Sequence, residues 1–472
     1  MSSSNQGKAV KAGIGYTIGN VLSKGLTFLS IPLFARVLTV ADYGIYNTFA
    51  SYVSILSVVI GFALHTSIKN AKIDHNADLA KYNSSVLLLA IGNAVVLLVA
   101  GTLFMRPLAN LLSLEKDYFV LLIVLESFGV FLLSFYNCVL AVDYRYREYM
   151  IITLAYAVCG IVISLGMIYG FFASERYLGR IAGAVISACL VGIVVLIQVL
   201  RKARPKMDKV FWRYGLKISL PIVPHGLSQI LLAQFDRIMI KKTISEVTAG
   251  LYSFAYNVGI IYQVVANSLD VAWTQWFFER MKAKSYEEIR KVGRIYSLIL
   301  TAGAIILMLA APELSRIMGG DKYIDSIRVS FPIVLAMFYS AEYNFPAAVE
   351  YYYKKTKLIA IATTAAAVLN IILNLIFIPR YGYVAAAYTT VVCYLAYLLI
   401  HVLFSYKIHG SMIYDIKTHG IHVLIVTCAN FALIYMEHMI WIRWGILVVL
   451  LAVAGFFVYR NKNTLRTLLK KN

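Results

Sequence analysis

Charge is scarce in this chain. Of its 472 residues only 14% are charged and 60% are hydrophobic. A water-soluble domain carries roughly 25% charged and 45 to 50% apolar residues, so the solvent for most of this surface is hydrocarbon. Soluble enzymes and nucleic-acid binders are excluded on that ground, despite a net charge of +21. Cysteine is equally sparse. Cys138, Cys159, Cys189, Cys393 and Cys428 each lie within an apolar run, with no CxxC pair and no histidine at ligand spacing. That excludes a disulfide scaffold and a metal site. Walker A, HExxH and serine-elbow patterns are missing too, so ATP-driven pumping and these hydrolytic chemistries lack their residues, and no enzymatic activity is expected. The opening MSSSNQGKAVKAGIGYTIGN lacks a clear small-residue cleavage site and reads as part of a retained first span.

What the chain has is a succession of apolar runs. A helix needs about 20 such residues to cross a bilayer, because only a helix satisfies its own backbone where water is absent. Fourteen spans are expected, over 14–35, 44–66, 83–104, 118–140, 150–172, 178–200, 215–236, 248–273, 294–311, 329–350, 358–378, 382–405, 418–436 and 441–459. The fold class is therefore an all-α polytopic membrane protein. With the N-terminus inside, the inner segments hold 30 of the 44 Lys and Arg, the outer loops 13, and Lys24 lies within a span. Such a bias orients membrane proteins, so both termini are expected in the cytoplasm and the excess charge is topological. No outer loop exceeds about 16 residues, which leaves no room for an outer domain.

The sequence also repeats itself. FARVLTVADYGIYNTFA, with Phe34, Arg36, Gly44 and Tyr46, recurs as FDRIMIKKTISEVTAGLYSFA, with Phe235, Arg237, Gly250 and Tyr252. YLGRIAGAVIS around Gly179 resembles RYGYVAAAYTT around Gly382. These similarities divide the chain into a six-helix bundle at 1–205, a second at 206–410, and two appended helices with a basic tail at 411–472. An even number of spans per copy places the symmetry axis along the membrane normal, and a substrate cleft is expected between bundles that alternate access.

Charges inside spans mark function or structural pairing, because each costs about 2.5 to 3.5 kcal/mol at mid-bilayer. Lys24 lies roughly 15 Å into span 1. The offset that aligns Arg36 with Arg237 aligns Lys24 with His225, which suggests a shared basic cavity; an ion pair between Lys24 and Glu126 is the structural alternative. Span 7, with Pro221, Pro224, His225, Gln229 and Gln234, reads as a broken, polar cavity lining. Glu342, between Pro332 and Pro346, is a candidate ion-coupling site or else a buried acid that holds helices together. Arg36, Asp236 and Arg237 fall at outer helix ends, where loop anchoring competes with a gate or substrate role. Asp270 and Glu350 are expected near solvated helix ends. GxxxG spacings at Gly15 and Gly19, Gly166 and Gly170, and Gly179 and Gly183 predict close helix packing.

IPLFARVLTVADYGIYN, FDRIMI followed by AGLYSFAYNVG, and LNIILNLIFIPRYGYVAAAYTT resemble the bacterial polysaccharide-unit flippases, a branch of the superfamily that includes multidrug and toxin extruders and the lipid II flippase. The resemblance runs from about residue 10 to 405. It implies a MATE-like pair of bundles and a carrier, located in the bacterial inner membrane, that moves undecaprenyl-diphosphate-linked oligosaccharide to the outer leaflet for O-antigen or capsule. It further implies no cofactor beyond a proton or sodium gradient. The expected partners are the lipid-linked substrate, the bilayer, and a glycan polymerase and chain-length regulator, with a monomeric carrier and no nucleic acid. The substrate-binding candidates are Lys24, His225, Gln229, Arg36 and Arg237; the ion-coupling candidates are Glu126, Glu342 and His225. Many drug-extruding relatives carry a first-span acid where this chain has Lys24, which opposes cation export. A multidrug antiporter of the same fold remains the alternative, and a glycan polymerase or ligase a more distant one.

Overall fold

The computed structural model describes the backbone of residues 3–460, without the side chains of 3–14, 17, 18, 20, 21, 454 and 456–460. Among these residues the chain is helical and has no strand. It divides into two compact units, Met1–Gly250 and Leu251–Asn472. The first unit contains α1 (Ser3–Val37), α2 (Val40–Ile60), α3 (Ile68–Asp74), α4 (Leu79–Leu103), α5 (Met105–Leu112), α6 (Phe119–Val142), α7 (Tyr146–Gly170), α8 (Arg176–Lys202), α9 (Lys209–Ser219) and α10 (Val223–Thr243). The second contains most of α11 (Glu246–Lys282), then α12 (Tyr286–Gly319), α13 (Ile327–Glu342), α14 (Asn344–Tyr352), α15 (Thr356–Tyr381), α16 (Tyr383–His409), α17 (Ile416–Tyr435) and α18 (Ile440–Arg460). The compact division falls after α10, whereas the sequence repeat places its boundary at 205.

Eleven helical segments among the described residues are long and apolar enough to cross a membrane. They answer to expected spans 2 to 7 and 9 to 13. Span 8 is helical, as part of α11, but Asn257, Gln263, Asn267 and Asp270 make it too polar to qualify by composition. Spans 1 and 14 fall partly on side chains outside the description, so the count of fourteen stands as an expectation.

One helix forms the centre of each unit. In α13, positions 329 to 339 are buried without interruption, the mark of a helix surrounded by protein on every side. Its counterpart in the first unit is α6, with buried Phe119, Ile123, Phe131, Phe135 and Leu140. The surrounding pattern repeats as well: α8 packs on α6 and α7, and α16 packs on α13 and α15.

Two breaks are written by proline. A proline in a helix removes one N–H and its ring collides with the carbonyl four residues earlier. Pro221 and Pro224 put a single 3-10 turn, Leu220–Ile222, between α9 and α10, as span 7 predicts. Pro346 stands four residues after Glu342, where α13 ends and α14 begins.

The glycines settle where backbones meet. A Cβ on Gly44 would fall on the carbonyl oxygen of Glu246, and one on Gly250 would fall on that of Val40. Each glycine therefore meets the carbonyl four residues before the other, so the repeat-related glycines form a reciprocal crossing between the starts of α2 and α11. Gly15 and Gly19 accommodate Tyr146 and Met150, and Gly179 and Gly183 press on the backbone of Ile168 and Ser164. Gly166 and Gly170 have no neighbour within 4 Å, so their GxxxG spacing is not a packing seam.

The same geometry corrects the repeat register elsewhere. Gly179 is the fourth residue of α8, whereas Gly382 precedes α16 at φ 78°, a turn conformation natural to glycine. Helix starts and ends give an offset near 206: α1 ends at Val37 and α10 at Thr243, and α2 starts at Val40 and α11 at Glu246. The alignment of Arg36 with Arg237 is thus off by about a turn and a half. α10 stays helical through Ile238–Thr243, so Lys24 and His225 are not equivalent positions of the repeat.

Gly44→Leu and Gly250→Leu should each destabilise the protein by about 1 to 3 kcal/mol through overpacking. Gly166→Ala should leave it unchanged or slightly stabilised. Thermal unfolding in detergent micelles distinguishes the three.

Candidate functional site

In the first unit the chemistry gathers around α6 and α8. Glu126 of α6 is 5% exposed, and its Oε2 has no hydrogen-bond partner among the described residues. Arg180 of α8 is the cation whose field reaches it. Gly183 lets α8 lie close on α7, and Arg180 uses that approach: its Nη1 donates to Ser164 Oγ at 2.8 Å and to Gly160 O at 3.4 Å. The guanidinium carbon sits 3.9 Å from the centroid of Phe34 and 4.3 Å from that of Tyr46. A cation held by two aromatic faces and a hydroxyl is fixed in place. Lys24 is exposed on α1 and makes no ion pair with Glu126, so the alternative that paired them does not hold.

Along α10, His225 is half-buried just after the proline break and Gln229, one turn on, is exposed, their Nε2 atoms 3.5 Å apart. Gln234 Oε1 accepts from Ser51 Oγ of α2 at 3.2 Å. Arg237 is 4% exposed and donates to Gln234 Oε1 and Ala233 O, so it serves its own helix and the seam with α2. Arg36 is exposed at the end of α1. Lys241 pairs with Glu115 and donates to Ser113 O at 2.9 Å, which anchors the end of α10 to the α5–α6 connector.

The second unit holds a denser cluster. Glu342, 2% exposed, accepts from Ser297 Oγ of α12 at 2.7 Å through Oε1, and its Oε2 lies 2.8 Å from Nδ1 of His419 on α17. Ser297 Oγ is also 2.7 Å from Nδ1 of His422. A cavity of about 150 Å³ adjoins this group, lined by Glu342, His419, Ser405 and Tyr414 among apolar side chains of α16 and α17. Glu350 is sealed with His401 at 2.5 Å, both wholly buried, which corrects its expected solvated placement; Asp270 is half-buried. Arg443 of α18 makes a two-pronged pair with Glu313 at 2.6 and 2.8 Å, which ties α18 to α12.

The residues singled out by sequence thus fall into separate places. Glu126, His225, Gln229 and Arg237 belong to the first unit and Glu342 to the second. Arg180, Ser297, His419 and His422 were not foreseen. The histidine pair has a signal in hindsight, since two histidines three residues apart share one helix face opposite a central acid. Arg180 has none, because at the very start of an apolar run it reads as a loop charge.

The sequence model of the family described as polysaccharide biosynthesis protein matches residues 9–281. A relative from Haemophilus influenzae, described as Lsg locus putative protein 1, is 22% identical over 361 residues, 75% of this chain and 87% of that protein. The probable low-salt glycan biosynthesis flippase Agl15 of Haloferax volcanii is 21% identical over 397 residues, covering 83% and 82%. Among solved structures, the lipid II flippase MurJ in an inward closed conformation superposes with a TM-score of 0.74 at 16% identity, over 95% of this chain and 99% of that one. An inward-facing MATE-family multidrug transporter of the MOP superfamily gives 0.58 at 13% identity, over 81% and 98%. These structures share the fold.

Arg180→Ala removes two ring contacts and a hydrogen bond, and should cost about 2 to 3 kcal/mol of stability in micelles. Arg180→Lys should recover less than half of that, because an ammonium cannot lie flat on both rings. Asp415, which caps α17, is held below the usual carboxylate range by the hydroxyl and N–H of Thr418 and by Arg294. A carboxylate whose folded pKa is depressed stabilises the fold fully above its unfolded pKa, and that contribution fades as pH falls through the folded value. Hydrogen-exchange protection at the start of α17, taken relative to the intrinsic rate at each pH, should therefore fall on acidification in the wild type and be lower already at neutral pH in Asp415→Ala.

Proposed function

Because the chain belongs to the polysaccharide biosynthesis protein family, we propose that it is a flippase that carries undecaprenyl-diphosphate-linked oligosaccharide units from the cytoplasmic to the outer leaflet of the bacterial inner membrane. The single observation that carries this reading is the family match over residues 9–281, and the relative described as a glycan biosynthesis flippase supports it. The physics of the cargo agrees. A diphosphate with its sugars cannot cross hydrocarbon unaided, so a carrier must replace its hydration while the lipid tail stays in the bilayer. The exposed Lys24 on α1, with His225 and Gln229 beside the α9–α10 break, are the side chains proposed to meet that head, with Arg36 at the end of α1. Transport proceeds by alternating access, driven by an ion gradient, and the product feeds O-antigen or capsule assembly. Both termini lie in the cytoplasm on this reading.

A strain lacking this protein should lose surface polysaccharide and accumulate lipid-linked units on the inner leaflet, and the wild-type chain should restore display. Lys24→Ala should restore no more than about a tenth of it, and His225→Ala an intermediate amount, with both variants present in the membrane at wild-type level. Full display from both single variants and their double would remove these residues from the binding role.

A further inference from the structure

We propose that Glu342, with Ser297, His419 and His422, is a proton-binding site of the second unit, filled and emptied through His419 from the adjoining cavity. This deepens the flippase reading, on which its coupling role rests, by naming the proton as the ion and the place where it binds.

The hydrogen bonds carry the argument. An ionised carboxylate only accepts, so His419 must present Nδ1–H to Oε2 and Ser297 must present its hydroxyl to Oε1. Ser297 Oγ then accepts from Nδ1–H of His422. Two donors point at a buried negative charge, with His422 behind one of them, and that charge has no Lys or Arg paired with it among the described ion pairs. Nε2 of His419 is a buried acceptor with no hydrogen-bond partner among the described residues, so a proton delivered to the ring from the cavity side adds there. The Nδ1 proton then passes to Oε2, leaving neutral Glu342 and a neutral His419 of the other tautomer. Glu342 now donates to Nδ1 and still accepts from Ser297. One proton enters, one charge disappears, and no hydrogen bond is lost.

The other buried acids lack one of these properties. Glu126 lies within the field of the fixed cation Arg180. Glu350 and His401 are wholly buried, with Glu350 Oε2 and His401 Nε2 both unpartnered, so they have no route for a proton. The His419 side chain, by contrast, is 13% exposed, and its cavity of about 150 Å³ has room for water beside the carboxylate. The other ionisable groups around Glu342 are tyrosines, Tyr262 of α11 and Tyr296 of α12, with Tyr414 lining the cavity; Asp270 of α11 acts on Tyr296, and Arg294 is neutralised by Asp415 at 2.6 Å. Placement adds the consequence. Glu342 is the last residue of α13, its carbonyl is the one freed by Pro346, and Phe345 lies against the His419 ring at 4.5 Å. Loading the proton therefore acts on the α13–α14 break.

The test is an infrared-monitored pH titration of the purified full chain in nanodiscs of defined phospholipid, alongside Glu342→Gln, His419→Gln and Glu350→Gln, with thermal unfolding as a check on folding. A carboxylic-acid band should appear on acidification, vanish in Glu342→Gln, persist in Glu350→Gln, and shift its midpoint by about tenfold in proton concentration in His419→Gln. A band that Glu342→Gln leaves intact, or that His419→Gln does not move, overturns the proposal, and should Glu342→Gln fail to fold the His419→Gln shift decides alone. Lipid-linked oligosaccharide flipping by the same samples separates the two readings. Flipping without a Glu342 titration ends the proton site and spares the flippase, whereas titration without flipping does the reverse.

Discussion

Hydrocarbon gives a peptide group no partner except another peptide group, and the organisation of this protein follows from that constraint. Helices are the economical answer, so any place where a helix stops inside an apolar stretch needs protein or water to satisfy what it leaves bare. Among the described residues, two of the stops made by proline lie beside side chains singled out above. One releases α10 beside His225 and Gln229, and the other separates α13 from α14 at Glu342. Both stops carry a titratable side chain. A charge or an imidazole is least costly where the backbone is already in need of polar company, and a break is of most use where a charge can act on it.

Close backbone approach is the second device. In lipid, helices gain little from hiding apolar surface from one another, and association rests on packing and polar contacts. The crossing of α2 and α11 at Gly44 and Gly250 is the sharpest instance, since neither position has room for a methyl group. It is reciprocal, each glycine against the carbonyl four residues before the other, and both glycines belong to the repeated sequence motif. The close contact of α8 with α7 has a different use, because it brings Arg180 to Ser164 and the rings of Phe34 and Tyr46.

Much of this was legible in the sequence. The all-helical membrane class came from composition, the broken span 7 from its prolines, and the buried Glu342 from a charge in an apolar run between prolines. Register was harder. Short similarities fixed Gly44 against Gly250 but misplaced Arg36 against Arg237 and Gly179 against Gly382, because local resemblance does not report how far a helix continues. Partners were harder still. That Glu126 lies within the field of Arg180, and Glu342 beside two histidines from a helix outside the repeat, depends on approaches across tens to more than a hundred residues that no periodicity encodes. Glu350 shows the same limit from the other side: a charge near an expected helix end was buried with His401 because α14 packs against α16.

The central claim is that this chain moves a lipid-linked glycan head across the membrane. The most direct measurement is transfer in proteoliposomes that contain the purified protein and a polyprenyl-diphosphate oligosaccharide, scored by how much of the glycan becomes accessible to an added membrane-impermeant glycosidase. The account predicts that the protected inner-leaflet fraction becomes cleavable in vesicles with the protein and stays protected in vesicles without it. A protected fraction that is the same in both would contradict it.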